Sequence, residues 1–132
     1  MDMESLFAMM MGMREKDTGA YEEIRKLDHL LMEAGIPHEF HPQPLGGYQI
    51  TYYGTKGRPE GSSGFIGAGV GAVCSAIETP FSYGHENDRI EISGLMTAEE
   101  CRAVGDSVLG DLTAEDVFAR ILKHWTEANQ KQ

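Results

Sequence analysis

"RIEISGL", residues 89–95, alternates Ile90 and Ile92 with Glu91 and Ser93. A period of two puts the isoleucines on one face of a strand and the polar pair on the other, so this strand has one dry and one wet side. Sheets with a wet side are antiparallel in the ordinary case, because parallel sheets are covered on both faces. Working outward, "AVCSAIE" (72–78) reads as a strand, and so does "YQITYY" (48–53), rich in β-branched and aromatic residues. "PHEFHPQP" (37–44) is extended, with prolines that suit an edge strand or a loop, and Gly46-Gly47 signals a hairpin.

Helices bracket these strands. Over residues 20–34, Tyr21, Ile24, Leu27, Leu31 and Ala34 recur at three- and four-residue steps. Glu22 and Glu23 favour the N-terminal end, Gly35 suits the C′ position, and Pro37 blocks continuation. Thr97-Ala-Glu-Glu has capping-box form and opens a short helix. Thr113 caps the last helix, whose apolar face is Val117, Phe118, Ile121, Leu122 and Trp125, with Lys123 and His124 assigned to its C-terminal end. The order predicts an α+β fold: a three- to four-stranded antiparallel sheet covered by N- and C-terminal helices, in a two-layer sandwich.

The start is a separate matter. Met3, Leu6, Met10, Met13, Asp17, Ala20, Ile24, Leu27, Leu31 and Ala34 follow a 3.5-residue period, apolar except at Asp17, which suits one long self-associating helix. Gly12 and Gly19 each cost a helix about 1 kcal/mol relative to alanine, which favours a break at Asp17-Thr18-Gly19. The chain is thus read as a Met-rich helical extension over 1–19, serving oligomerisation, and a single α+β domain over 20–132 with a Gly-rich loop at 54–71. Methionines give the extension an adaptable apolar surface, and a second subunit is its expected cover.

Charge and cysteine usage narrow the classes. Acids outnumber bases 21 to 11 in 132 residues, for a net charge of −10. That disfavours direct binding to DNA or RNA, which needs a basic face. It leaves room for a basic pocket on an acidic body, or an acidic surface that meets a basic protein. Cys74 and Cys101 are too sparse for a disulfide framework and lack a C-x-x-C companion. Asp2 and Glu4 stand where a signal peptide carries positive charge, and no apolar run reaches the roughly 18 residues of a membrane span. The expected location is the cytoplasm, without membrane association.

From about Tyr21 the chain resembles a group of small, uncharacterised proteins encoded in prophages and mobile elements of Gram-positive gut bacteria. The blocks are YEEIRKLDHLLMEAGIPHE, AVCSAIE, FSYGHENDRIEISGLMT and GDSVLGDLTAEDVFARILKHW. The likeness runs over about residues 21–53 and 72–126. It implies a phage or mobile-element setting and carries no established activity.

The remaining motifs point to binding. Residues 54–71 hold seven glycines, but Gly64, Gly67, Gly69 and Gly71 lack the dinucleotide-fingerprint spacing, a strand follows them, and no Walker lysine is present. What survives is a flap whose amides, with Arg58, Ser62 and Ser63, close over a phosphate; the plainer reading is a slack insertion. His38 and His41 fall on opposite faces of a strand, a poor arrangement for a shared metal. His85 with Glu86 and Asp88 has the composition of a proton-transfer or cation site, although loop histidines among acids are usually solvated. Cys74 and Ser75 lack a nucleophile's surroundings. Tyr48, Tyr52, Tyr53, Phe65, Tyr83 and Arg89 cluster next to the glycine stretch; the tyrosines are candidates to stack on a base, and Arg58 or Arg89 to meet a phosphate. Equally, the tyrosines fill the core with their hydroxyls reaching water.

The resulting expectation is a phage-type anti-defence protein that sequesters a small nucleotide signal between subunits without cleaving it. Its ligand set is Tyr48, Tyr52, Arg58, Ser62, Ser63, Phe65, Tyr83, His85 and Arg89, with no catalytic residue, metal or cofactor. The alternatives are an acidic nucleic-acid mimic that inhibits a host nuclease or CRISPR effector, and a nucleotide-acting enzyme built on His85.

Overall fold

A computed structural model describes residues 21–57, 71–105 and 108–130. The chain runs α1 (Glu22–Glu33), β1 (Glu39–Pro42), β2 (Tyr48–Tyr52), β3 (Cys74–Glu78), a 3-10 turn (His85–Asn87), β4 (Ile90–Ser93), α2 (Ala98–Val104), β5 (Val108–Leu112) and α3 (Ala114–Gln130). The strands form one antiparallel meander in the order β1-β2-β3-β4-β5. The architecture is the α+β arrangement expected, with five strands rather than three or four.

The additional strand is β5. Gly110 and Asp111 disfavour a strand by propensity, and Asp111 sits at φ 64°. Ile92 pairs with Leu109 and Ile90 with Leu112, so β5 carries one more residue than β4 between these pairs. That is a β-bulge, and it absorbs the left-handed residue without breaking the ladder. The other strands follow their alternation. Tyr52 lies opposite Cys74, Ile50 opposite Ala76, and Ala76 opposite Ile92, so the dry residues share one face. Against that face pack Ile24, Leu27 and Leu31 of α1 and Val117 and Ile121 of α3, all fully buried. Gln49, Thr51 and Ser75 lie on the other face, where the Gln49 amide donates to Ser75 Oγ at 2.8 Å.

The helix ends are held by side chains from neighbouring elements. Tyr21, in the N-cap position of α1, is left-handed and supplies no side-chain cap. Glu78, at the end of β3, does so instead: its Oε1 accepts from the Ile24 amide at 3.0 Å. Glu23 of α1 in turn accepts from the Ala114 amide at 2.8 Å, and Lys26 reaches Glu115 at 3.0 Å. The two helix N-termini are therefore stitched together by carboxylates, which the helix dipoles favour. At the other end of α1, the amides of Gly35 and Ile36 bond to Met32 and Leu31 carbonyls, a Schellman closure with Gly35 at C′. Thr97 forms the expected capping box with Glu100.

One helix boundary differs from expectation. α3 continues to Gln130, so Lys123 and His124 sit within the helix rather than at its C-terminal end. Among the described residues no helix is long and apolar enough to cross a membrane. Both cysteines are free, Cys74 buried and Cys101 exposed. The expected extension 1–19 lies outside the described residues.

Candidate functional site

The expected ligand residues do not gather in one place. Tyr48, at the start of β2, is enclosed by its own chain. Phe40 stacks on its ring at 4.9 Å, Tyr21 meets it edge-on at 6.1 Å, and the Arg25 guanidinium lies 5.3 Å from its centroid. Tyr83, His85 and Arg89 occupy the β3–β4 loop. There the Tyr83 ring is exposed, His85 Nδ1 lies 2.7 Å from the Ser82 carbonyl and 3.3 Å from Glu86, and Arg89 donates back to the Asn87 carbonyl. Arg58, Ser62, Ser63 and Phe65 lie outside the described residues. Tyr52 is fully buried, and its hydroxyl is 2.8 Å from His124 Nδ1 on α3.

That Tyr52–His124 contact leads to an open concavity beside α3. Val117 and Ile121 turn one face of α3 into the core, which leaves Asp116, Ala119, Arg120, Lys123 and Glu127 along an adjacent stripe. The turn Leu95-Met96-Thr97, between β4 and α2, stands opposite this stripe and encloses with it an open cleft of about 520 Å³ that His124 also lines. Arg120 fixes the cleft's shape. Its guanidinium grips both oxygens of Glu100, at 2.8 and 2.5 Å, and donates to the Leu95 carbonyl at 2.9 Å. A fork-to-fork pair of this kind holds direction as well as charge. The Arg120 bonds and the Thr97 amide hold the Glu100 carboxyl down to about 2, so it stays ionised.

Lys123 and His124 are less committed. Among the described residues Lys123 has no hydrogen-bond or ion-pair partner, and His124 engages Tyr52 alone. The two rings meet edge to face at 5.5 Å. Burial, with Cys74 nearby, pushes the Tyr52 phenol up, and burial pushes the Cys74 thiol up to about 12. Neither is a nucleophile in this setting, since the reactive form of each is the anion. Among the described residues no three His, Cys, Asp or Glu side chains are grouped to hold a metal ion. The cleft offers an ammonium, an imidazole and an apolar wall of Leu95, Met96 and Ala119. That set suits reversible holding of a small molecule with a polar head and an apolar body.

The signal for this site was present in the sequence as Arg120-x-x-Lys123-His124, three of the chain's few basic side chains within two helical turns. A charge-dipole assignment at the helix end absorbed it. No family model, curated protein or solved structure matches the chain.

Proposed function

We propose that the chain is a binding protein that holds a small nucleotide-like ligand in the Lys123–His124 cleft and does not cleave it. The observation that carries this reading is the pairing of an unpartnered lysine and a half-committed histidine with an apolar wall, on a chain whose net charge is −10. A cation without an internal partner on so acidic a body is placed for an anionic ligand. In the phage or mobile-element setting that the sequence resemblance implies, holding without cleaving is the sequestration of a host signal. The reading includes a homo-oligomer, which the Met-rich start of the sequence suggests. The nucleic-acid mimic is less favoured, because the acids are spread among the helices along the sequence and some, Glu23, Glu78 and Glu100, are engaged in internal bonds.

A thermal-shift series against cyclic and linear nucleotides tests it. A ligand at a hundred times its Kd adds about 2.7 kcal/mol of stability, on the order of 8 °C in Tm for a domain of this size. Lys123→Glu is expected to abolish that shift while leaving the ligand-free Tm within about 1 °C, since the side chain is exposed. An unchanged shift in the variant removes this cleft as the site.

A further inference from the structure

Resting on the reading of this cleft as the binding site, the structure also indicates what kind of head group it takes. The Tyr52 hydroxyl is the starting point. The residue is fully buried, and among the described residues His124 Nδ1, at 2.8 Å, is its one hydrogen-bond partner. A phenol carries one proton to donate. Were the imidazole proton on Nδ1, both groups would offer a hydrogen across the same contact, or the phenolic hydrogen would be left without an acceptor. A buried donor left unmade costs about 1–3 kcal/mol. The contact is satisfied when Tyr52 donates and Nδ1 accepts, which places the imidazole proton on Nε2.

His124 therefore lines the cleft as a ring whose proton sits on Nε2, available to donate to an acceptor. Lys123, the preceding residue on α3, supplies a positive charge with no partner among the described residues. The rest of the lining sets an upper limit on charge. Arg120 is neutralised by Glu100, and the carboxylates of Asp116 and Glu127 lie on the same wall. One spare cation thus faces two carboxylates. Lys123 can pair with a single negative charge of a ligand, and Asp116 and Glu127 on the same wall repel every further one.

We infer that the cleft selects a singly charged, acceptor-rich head group, a phosphodiester or a carboxylate, on an apolar or aromatic body, and excludes polyphosphates. Tyr52 is a positioning residue in this arrangement. It touches no ligand, and it acts by holding the proton of His124 on Nε2. The Leu95–Met96 wall takes the apolar body.

Calorimetric titration of the full-length protein with cyclic adenosine monophosphate, ATP and benzoate tests the inference, together with long-range nitrogen–proton NMR of the His124 ring. The expected result is an Nε2–H tautomer and binding of the cyclic nucleotide at least about tenfold tighter than ATP. Tyr52→Phe keeps the buried ring, releases the tautomer and weakens the cyclic nucleotide about fivefold by lowering the competent population. His124→Gln retains an amide donor and keeps most of the affinity, whereas His124→Ala does not. Glu127→Gln narrows the gap to ATP. ATP binding as tightly as the cyclic nucleotide, or an Nδ1–H tautomer, overturns the inference while leaving the cleft as a binding site. Benzoate binding without either nucleotide supports a carboxylate head and removes the nucleotide reading alone. Binding of none of the three overturns both.

Discussion

Gly47→Ala is expected to destabilise the fold by about 3–5 kcal/mol, enough to unfold much of a marginally stable domain. Two costs add. Gly47 has φ +85°, a left-handed backbone that charges any residue with a Cβ about 1–2 kcal/mol. The second cost is spatial. A Cβ there overlaps the Glu78 carbonyl oxygen and comes within 2.7 Å of Thr79 Cα. Neither is a flexible side chain. Both belong to the backbone opposite the β1–β2 hairpin, where Tyr48 pairs with Glu78. Relief requires opening that end of the β2–β3 ladder, at about 1 kcal/mol for each hydrogen bond lost. Gly35→Ala isolates the first cost: its φ is +71°, but a Cβ there meets nothing within 4 Å. Chemical denaturation of both variants checks the difference. Equal losses would mean that the close approach of the hairpin to Glu78 contributes nothing.

The second large effect is expected at Glu78, which is 2% exposed and accepts the Ile24 amide. Glu78→Ala leaves that amide unmet inside the fold and opens space at the end of β3; the expected loss is about 2–4 kcal/mol. Glu78→Gln keeps a carbonyl acceptor and discards the charge. Burial raises the Glu78 carboxyl above its ordinary value of 4.5, the Ile24 bond works against that rise, and Asp88, Glu23 and Glu22 add to it. The native state thus holds this proton more tightly than the unfolded chain does. Its stabilising contribution is complete below 4.5 and is lost as pH rises through the raised value. The glutamine variant is expected to lack that decline. Glu100 acts in the opposite sense and in a lower window. Its carboxyl is held at about 2, so its contribution is present above 4.5 and fades as pH falls toward 2. Urea titrations across pH should show the upper limb vanish in Glu78→Gln and the lower limb persist. An upper limb unchanged in the variant would mean that another group sets it.

Local patterning made most of the fold legible. Ile90 and Ile92, the Gly46-Gly47 hairpin, the Gly35 closure and the Thr97 capping box are short-range features, and the structure places each where its own chemistry directs it. β5 was hidden because its pairing is long-range: the bulge that accommodates Asp111 exists only against β4. The cross-capping of α3 by Glu23, 91 residues away, was hidden for the same reason. The candidate site was less legible still. A tyrosine that stacks on a ligand and one that packs on Phe40 and Arg25 look alike in sequence, and Tyr48 does the latter. Tyr52 reaches the site through its hydroxyl rather than its ring, by way of His124, 72 residues on. Lys123 and His124 carried the visible signal, but only the extent of α3 to Gln130 separates them from the helix end.

The central claim, that the cleft between α3 and the 95–97 turn holds a small anionic ligand intact, is tested most directly by a two-dimensional amide NMR titration with cyclic adenosine monophosphate, followed by mass spectrometry of the released ligand. The expected result is saturable shifts confined to Leu95–Thr97 and Ala119–Glu127, with the nucleotide recovered unchanged. Shifts centred on Tyr48 or on the Tyr83–Arg89 loop, no saturable shift at all, or recovery of a hydrolysed product would contradict it.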